Sequence, residues 1–480
     1  MKPRVSLILL LLVLSHAAVA AQSVFTDVFP PEEFTARRAL VMDQIGDGVA
    51  ILQGAAEKPA EAAFRQNNRF FYLSGIEVPR ALLVIDGRTK RSVAYIPPSY
   101  RERAYGPGLR PGAEAARLTG LDAVLERDAF AAAVAALGVE GRPIYTPASA
   151  EVLGSGSRGE AVALARANAN DPWDGRASRE DAFIAKLKDA APRSEIRDLD
   201  PILRGMRATK SAHEIEVIRR ATNAAGLGIM EAMRDAKPGM AEYELQADAE
   251  FVFKTFGAQG PAYFALVATG ANTPYSHYHK GTAILADGDL VQFDYAPDLN
   301  YYVSDVTRVF PANGRFTPRQ REFYTIYLRL YQAILTSIDV NVAPREIRRR
   351  AVVKMDSIMV AFPFTDEKIR AAATTFVERQ RSSNSNSLGH TVGMEVHDVP
   401  LGSETLQPGH VFTIEPAMVI EDERLGMRLE DVILITPTGA EILSAFVPVE
   451  IDDVEALMAQ SGLRDAQIRL PGRMPDGGRD

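Results

Sequence analysis

Apolar positions along this chain keep two rhythms. Short runs rich in branched and aromatic residues predict strands, and longer stretches with apolar residues three and four apart predict helices. Residues 81–86 and 92–96 predict buried strands, and 131–137 predicts a helix. The aromatic stretch 64–75 predicts a strand closed by a Ser74-Gly75 turn. Residues 150–179, rich in Ala, Gly, Ser and Arg, predict loops or a surface helix, with Trp173 as a packing plug. After a linker near 193–200, Ser211 and Glu214 form a capping box that opens a long helix. Ile215, Ile218, Ala221, Ala225 and Met233 form its apolar stripe, and Pro238-Gly239 ends it. His213, in its first turn, is expected to face solvent. Residues 241–256, 318–338 and 345–359 predict further helices, while 390–396, 410–414, 427–435 and 445–451 predict strands.

One stretch stands out. The β-rich runs 290–295 and 301–310 flank Pro297-Asp298-Leu299-Asn300, which reads as a turn. A hairpin folded about Leu299 and Asn300 sets Asp294 directly opposite Asp305 on one face. Cross-strand partners have Cβ atoms roughly 4.5–5.5 Å apart. Ionised carboxylates that close repel unless they are protonated or bridged by cations. For the hairpin alone, a solvent-facing pair is the simpler reading.

The alternation of elements predicts an α/β (α+β) chain of two domains, residues 27–200 and 201–455, with a disordered tail over 463–480. Composition adds limits. A net charge of −8 leaves no basic footprint for nucleic acid, and the run Arg345 to Arg350 reads as a solvated helix face. Lys2 and Arg4 precede the apolar run 7–14, and Ala18-Val19-Ala20 supplies a cleavage pattern. Residues 1–20 therefore read as a signal peptide, cut after Ala20 or Ala21, too short to span a membrane. The expected location is exported, periplasmic or extracellular. The chain has no cysteine, which excludes disulfides and a lipid-anchored cysteine. No membrane anchor is expected.

The chemistry gathers around the hairpin. Of 7 histidines, His16 falls in the leader, while His277, His279, His390 and His397 lie in two short clusters. Glu415 and Glu430 each interrupt an apolar run. A buried carboxylate needs a partner, and Asp294, Asp305, Glu415 and Glu430 could share a core only with cations. Four hard oxygens and one imidazole favour manganese, cobalt, zinc or iron. Pairs of such ions about 3.5–4 Å apart polarise carbonyls and generate hydroxide at neutral pH.

Asp294, Ser304-Asp305-Val-Thr-Arg308, Gly389-His390 through His397-Asp398, Thr413-Ile-Glu415-Pro416 and Arg428-Leu-Glu430-Asp431, in that order, resemble the "pita-bread" dinuclear metallopeptidases of family M24. That family includes methionine aminopeptidase, aminopeptidase P and prolidase. Residues 64–75, with Glu77 and Pro79, resemble the amino domain of the proline-specific branch. The segment Leu203 to Ser211 resembles the opening of its catalytic domain. The resemblance runs from about residue 30 to 455 and implies an aminopeptidase P-like α/β domain followed by a pita-bread catalytic domain.

What the resemblance implies is specific. Two divalent ions, manganese first among them, would be held by Asp294, Asp305, His390, Glu415 and Glu430. Asp294 would be bidentate on one ion, and Asp305 and Glu430 would bridge both. A hydroxide between the ions would attack an Xaa-Pro bond at the peptide N-terminus, with Glu415 moving the proton. His277 and His397 would steady the oxyanion, and Arg428 would orient Glu430. For His279 the expectation is packing. Asn386-Ser387 stand where the family commonly has His-Gly, and Tyr295 follows the first aspartate where a small residue is common. Partners would be peptides with proline second, and a homo-oligomer is possible. The alternatives are a prolidase acting on Xaa-Pro dipeptides and a non-catalytic binding protein of the same fold.

Overall fold

The computed structural model describes residues 28–57, 62–97 and 108–465. The leader expected over 1–20, and the expected tail beyond Asp465, lie outside the described residues. The chain divides into two compact units. Among the described residues, one holds those up to Gln66 with those from Phe70 to Arg142; the other holds Asn67–Arg69 and those from Pro143 to Asp465. No helix among the described residues is long and apolar enough to cross a membrane.

In the first unit, strands β1 (Val49–Gln53), β2 (Leu82–Asp86), β3 (Arg91–Ile96) and β4 (Ala123–Glu126) lie in the order β4-β3-β2-β1. The two expected strands are β2 and β3, and the expected alanine-rich helix is Phe130–Glu140. The aromatic stretch corrects the sequence reading: Asn68–Ser74 is a helix, not a strand. Phe70, Phe71 and Leu73 are all fully buried. A run buried on every side has no period by which strand and helix could be told apart. Gly75, at φ +66°, ends this helix where an added Cβ would come within 2.6 Å of the Phe34 ring.

The second unit opens with the parallel pair β5 (Ile144–Thr146) and β6 (Ile196–Asp198). The surface helix expected in 150–179 is Arg158–Asn170. Trp173 is no plug: it is 97% exposed. The Ser211 capping box forms as expected and opens helix Ala212–Asp235, with His213 exposed. Glu214 does more than cap, since it also accepts from the Tyr302 hydroxyl at 2.8 Å. Thr222 on the same helix meets the Ser304 hydroxyl at 2.8 Å. These two polar contacts key the helix to the hairpin tip. Helix Glu242–Thr255 packs alongside, and Gly228 leaves room for the Phe253 ring, which an added Cβ would approach to 2.6 Å.

The remaining strands are β7 (Gly260–Pro261), β8 (Leu266–Thr269), β9 (Leu290–Asp294), β10 (Pro297–Leu299), β11 (Tyr302–Val303) and β12 (Thr307–Pro311). They are followed by β13 (Val411–Ile414), β14 (Met418–Ile420), β15 (Leu425–Met427), β16 (Asp431–Thr436) and β17 (Gly439–Ile442). Sheets β12-β9-β8 and β13-β16-β17 come together through a bridge between Thr307 and Glu430. Every residue of β9 and β12 is buried, so this hairpin is core on both faces.

The hairpin exists, but its register differs from the expected one. Asp294 pairs with Thr307, two residues along from Asp305. The tip is Asn300-Tyr301, with φ +50° and +73°, and Pro297–Leu299 is strand rather than turn. Positive φ at both central residues matches the right-handed twist of the flanking strands. A tyrosine accepts this conformation because its side chain is fully buried. A shift of two keeps every side chain on its own face, so Asp294 and Asp305 are diagonal neighbours on one face.

Three further strand expectations change. Residues 390–396 form a loop with a single bridge at Thr391. The run 427–435 breaks between β15 and β16, leaving Arg428 to Glu430 outside both. The run 445–451 turns into helix Ile451–Met458. Beneath the Glu430 segment, Arg308 donates to Asp431 at 2.7 Å and to the Glu430 carbonyl at 2.8 Å. Tyr331 and Ser444 complete the Asp431 shell at 2.8 and 2.6 Å. Burial pushes the Asp431 carboxyl up, but the guanidinium and these donors hold it below the usual carboxylate range. In urea unfolding, Arg308→Met should cost about 3–5 kcal/mol, because it leaves a buried carboxylate without its counter-charge. Adding Asp431→Asn should recover part of that loss.

Candidate metal centre

Each candidate ligand sits where a strand has just stopped or is about to start. Asp294 ends β9, Asp305 precedes β12, Glu415 follows β13 and Glu430 precedes β16. Asp294 is still paired with Thr307 and Leu266, and Glu430 is bridged to Thr307, so the sheet edge fixes the backbone at these two ligands. His390 comes from the loop after helix Glu367–Ser382. Its Nδ1 donates to the Thr391 carbonyl at 3.3 Å, which leaves Nε2 aimed at carboxylates. Nε2 lies 3.4 Å from Asp305, 3.3 Å from Glu415 and 3.5 Å from Glu430. Asp305, His390 and Glu430 offer ligand atoms all within 4.8 Å of one another.

Three residues to which the sequence reading assigns no role complete the site. The Tyr263 hydroxyl lies 2.6 Å from Asp294 and 2.7 Å from Asp305, spanning the pair. The Thr307 hydroxyl donates to Glu430 at 2.9 Å. Buried Glu242 accepts from Tyr278 at 2.9 Å and from the Ala283 N–H at 3.1 Å, bracing the loop that carries His277. Nothing in the local sequence marks Tyr263 or Glu242, since a tyrosine among apolar residues reads as core. Arg428 is placed differently from expectation: its guanidinium bonds Asp294 and lies 3.6 Å from Glu415, while Thr307 serves Glu430.

The electrostatics are those of crowded anions. Burial pushes Asp294 up to about 6 although Arg428 opposes the shift. Burial, with Glu430 nearby, pushes Glu415 up to about 8. Asp305 and Glu430 are raised by burial and then by Asp294 and Asp305 respectively. Burial disfavours charge on His390, yet its carboxylate neighbours raise it to about 11. Glu430 Oε1 is buried without a hydrogen-bond donor. A hard-oxygen set with an orphaned oxygen and one free imidazole nitrogen fits divalent cations.

A cavity of about 100 Å³ opens on this cluster, lined also by Tyr263, Phe264, His277, Val396 and His397. The His397 ring lies 4.1 Å from that of His390, and burial followed by the His390 charge lowers it to about 4. His279 does not line the cavity. It is exposed, its ring lies tilted against Phe264 with centroids 4.6 Å apart, and its Nδ1 bonds the His277 carbonyl at 3.0 Å. Asn386 is exposed and outside the lining, in a loop that Arg348 holds through the Ser385 and Ser387 carbonyls at 2.9 and 2.6 Å.

The His390–His397 loop has few ladder bonds and is braced by charge instead. Arg207 binds Asp398 and, at 3.1 Å, Glu395; Lys210 reaches Asp398 at 3.2 Å. An added Cβ on Gly389 would lie 2.0 Å from the Thr413 carbonyl, and one on Gly393 1.8 Å from Asp398. The loop fits only with glycine at both places.

Comparison with known proteins agrees with this arrangement. Residues 216–437 match the family model Metallopeptidase family M24, and residues 34–145 match Aminopeptidase P, N-terminal domain. The Xaa-Pro aminopeptidase of Escherichia coli (strain K12) is 31% identical over 456 residues, covering 89% of this chain and 97% of that enzyme. The structure of Pseudomonas aeruginosa aminopeptidase PepP superposes with a TM-score of 0.72 at 28% identity, covering 90% of this chain and 98% of that one. An Xaa-Pro dipeptidase from Pyrococcus horikoshii is 32% identical over 267 residues, covering 55% of this chain and 70% of that enzyme. With its acidic cluster, its histidine loop and these likenesses along nearly its whole length, the chain belongs to metallopeptidase family M24, in the form that carries an aminopeptidase P N-terminal domain.

Proposed function

We propose that this metallopeptidase removes the N-terminal residue from peptides whose second residue is proline. The observation that carries the reading is the convergence of Asp305, His390 and Glu430 within 4.8 Å, with Asp294 and Glu415 beside them. These five residues would hold two divalent ions, manganese first, with cobalt, zinc or iron as alternatives. When bound, such ions supply Lewis acidity toward the scissile carbonyl and a nucleophile at neutral pH. Glu415, on the cavity wall and partly exposed, would take a proton and return it to the leaving nitrogen. His277 and His397 line the same cavity, where a ring N–H of each would steady the developing oxyanion. Arg428 and Tyr263 keep Asp294 from swinging away. A bond to proline offers no N–H for alignment, so positioning must come from the substrate's ends and from the cavity wall. Cleavage confined to Xaa-Pro dipeptides is the second reading, favoured by the partial likeness to the P. horikoshii dipeptidase.

The reading makes three measurable claims. Manganese-loaded protein should cleave Ala-Pro-Ala but not Ala-Ala-Ala, and chelation should abolish this. Asp305→Asn should lower bound metal below two ions per chain and kcat/KM by more than about a hundredfold; full activity in the metal-free protein would sink the proposal. Tyr263→Phe should weaken metal retention by about tenfold in chelator competition, with its circular dichroism unchanged. Export is proposed from the leader alone: the mature protein, recovered from the periplasm or medium, should begin at Ala21 or Gln22. Recovery with Met1 in place would reject it.

A further inference from the structure

Helix Arg158–Asn170 buries none of its side chains, yet its start stands at the catalytic cavity. Ser157 and Glu160 line that cavity and also a second, open groove of about 640 Å³. The groove is walled by Leu153, Ala161 and Leu164 together with Glu151, Arg176 and Arg179, and the two leucines are 78% and 60% exposed. A single exposed leucine needs no explanation; two in a groove that shares Ser157 and Glu160 with a catalytic cavity do. The cavity, at about 100 Å³, is small against the roughly 300–1,000 Å³ of usual ligand pockets. An exopeptidase that removes one residue admits only that residue on the amino side of the scissile bond. Of such a substrate, only the chain that follows proline is long enough to fill this groove.

Charge at the junction points the same way. The guanidinium lining the cavity, Arg428, already bonds Asp294 and lies beside Glu415. Glu160 has no ion-pair partner among the described residues. It lies in the first turn of its helix, where a full carboxylate outweighs the roughly half positive charge of the helix end. A dipeptide would carry its terminal carboxylate to this junction. A longer peptide presents a neutral amide there and takes its terminal charge further out.

We infer that Glu160 selects against Xaa-Pro dipeptides, and that the groove beyond it takes the residues following proline in longer peptides, apolar ones by preference. This rests on the Xaa-Pro exopeptidase reading above.

The test compares kcat/KM of the manganese-loaded full chain on Ala-Pro, Ala-Pro-amide and Ala-Pro-Leu-Leu. The first two differ only in the terminal charge. The amide should be preferred about tenfold at low salt, and less as salt screens the junction. Glu160→Gln should bring the amide-to-acid ratio to within about twofold, and Leu164→Asp should lower the ratio of Ala-Pro-Leu-Leu to Ala-Pro-amide about tenfold. Equal rates on acid and amide in the unaltered chain, or a preference that survives Glu160→Gln, overturn the role of Glu160. If Leu164→Asp changes the oligomeric state in sedimentation but not the length preference, the groove belongs to a second copy of the chain and its role here is overturned. Failure to cleave any of the three substrates is a separate result: it rejects the exopeptidase reading, and this inference with it.

Discussion

Four carboxylates face one another where little water reaches, and the rest of the second unit is arranged around their repulsion. Desolvation alone disfavours each charge, and every neighbour worsens it for the others. The local answer is a set of fixed donors. Tyr263 spans Asp294 and Asp305, Thr307 serves Glu430, and His390 stands amid three of the four. What these donors leave unmet is one bare oxygen on Glu430 and carboxyls that resist ionisation. Such a pocket is selective by charge density: it is uncomfortable empty, and a small divalent ion relieves it more than a monovalent one of similar size.

Holding that arrangement rigid falls to the layer beneath. Arg308 ties the Glu430 backbone to Asp431, and Tyr331 closes Asp431 from the helix Pro318–Leu335. Tyr327 accepts from the Leu429 N–H at 2.7 Å and donates to the Pro416 carbonyl at 2.8 Å, fixing the chain beside both glutamates. The ligands leave the strands, but their flanks do not move freely. Precision at strand ends comes here from tyrosines and one arginine added to the pairing of Asp294 and Glu430 with Thr307.

Much of this was legible in the sequence, for physical reasons that differ from part to part. Glu415 and Glu430 are conspicuous because a carboxylate inside an apolar run has to be explained. Asp294 and Asp305 were readable as one face because strand side chains alternate with period two, and an error of two in register leaves faces intact. The register itself was misjudged because Asn300-Tyr301 turns through positive φ, which a tyrosine seldom adopts. The helix Asn68–Ser74 read as a strand because all its large residues are buried. The histidine loop read as a strand because its apolar residues Val392, Met394 and Val396 alternate, yet the backbone spends its polar groups elsewhere. Tyr263 and Glu242 could not be found at all: their importance lies in what folds against them.

The histidine loop carries a thermal consequence. Most of the core is held by apolar contact, whose contribution per unit area levels off on warming. The loop bearing His390 and His397 is pinned by Arg207 and Lys210 to Glu395 and Asp398, all buried. The cost of dehydrating such charges falls as temperature rises. This loop, poor in ladder bonds, therefore has an anchorage that fades little with heat, and its geometry should outlast the looser surfaces around it until the core itself gives way.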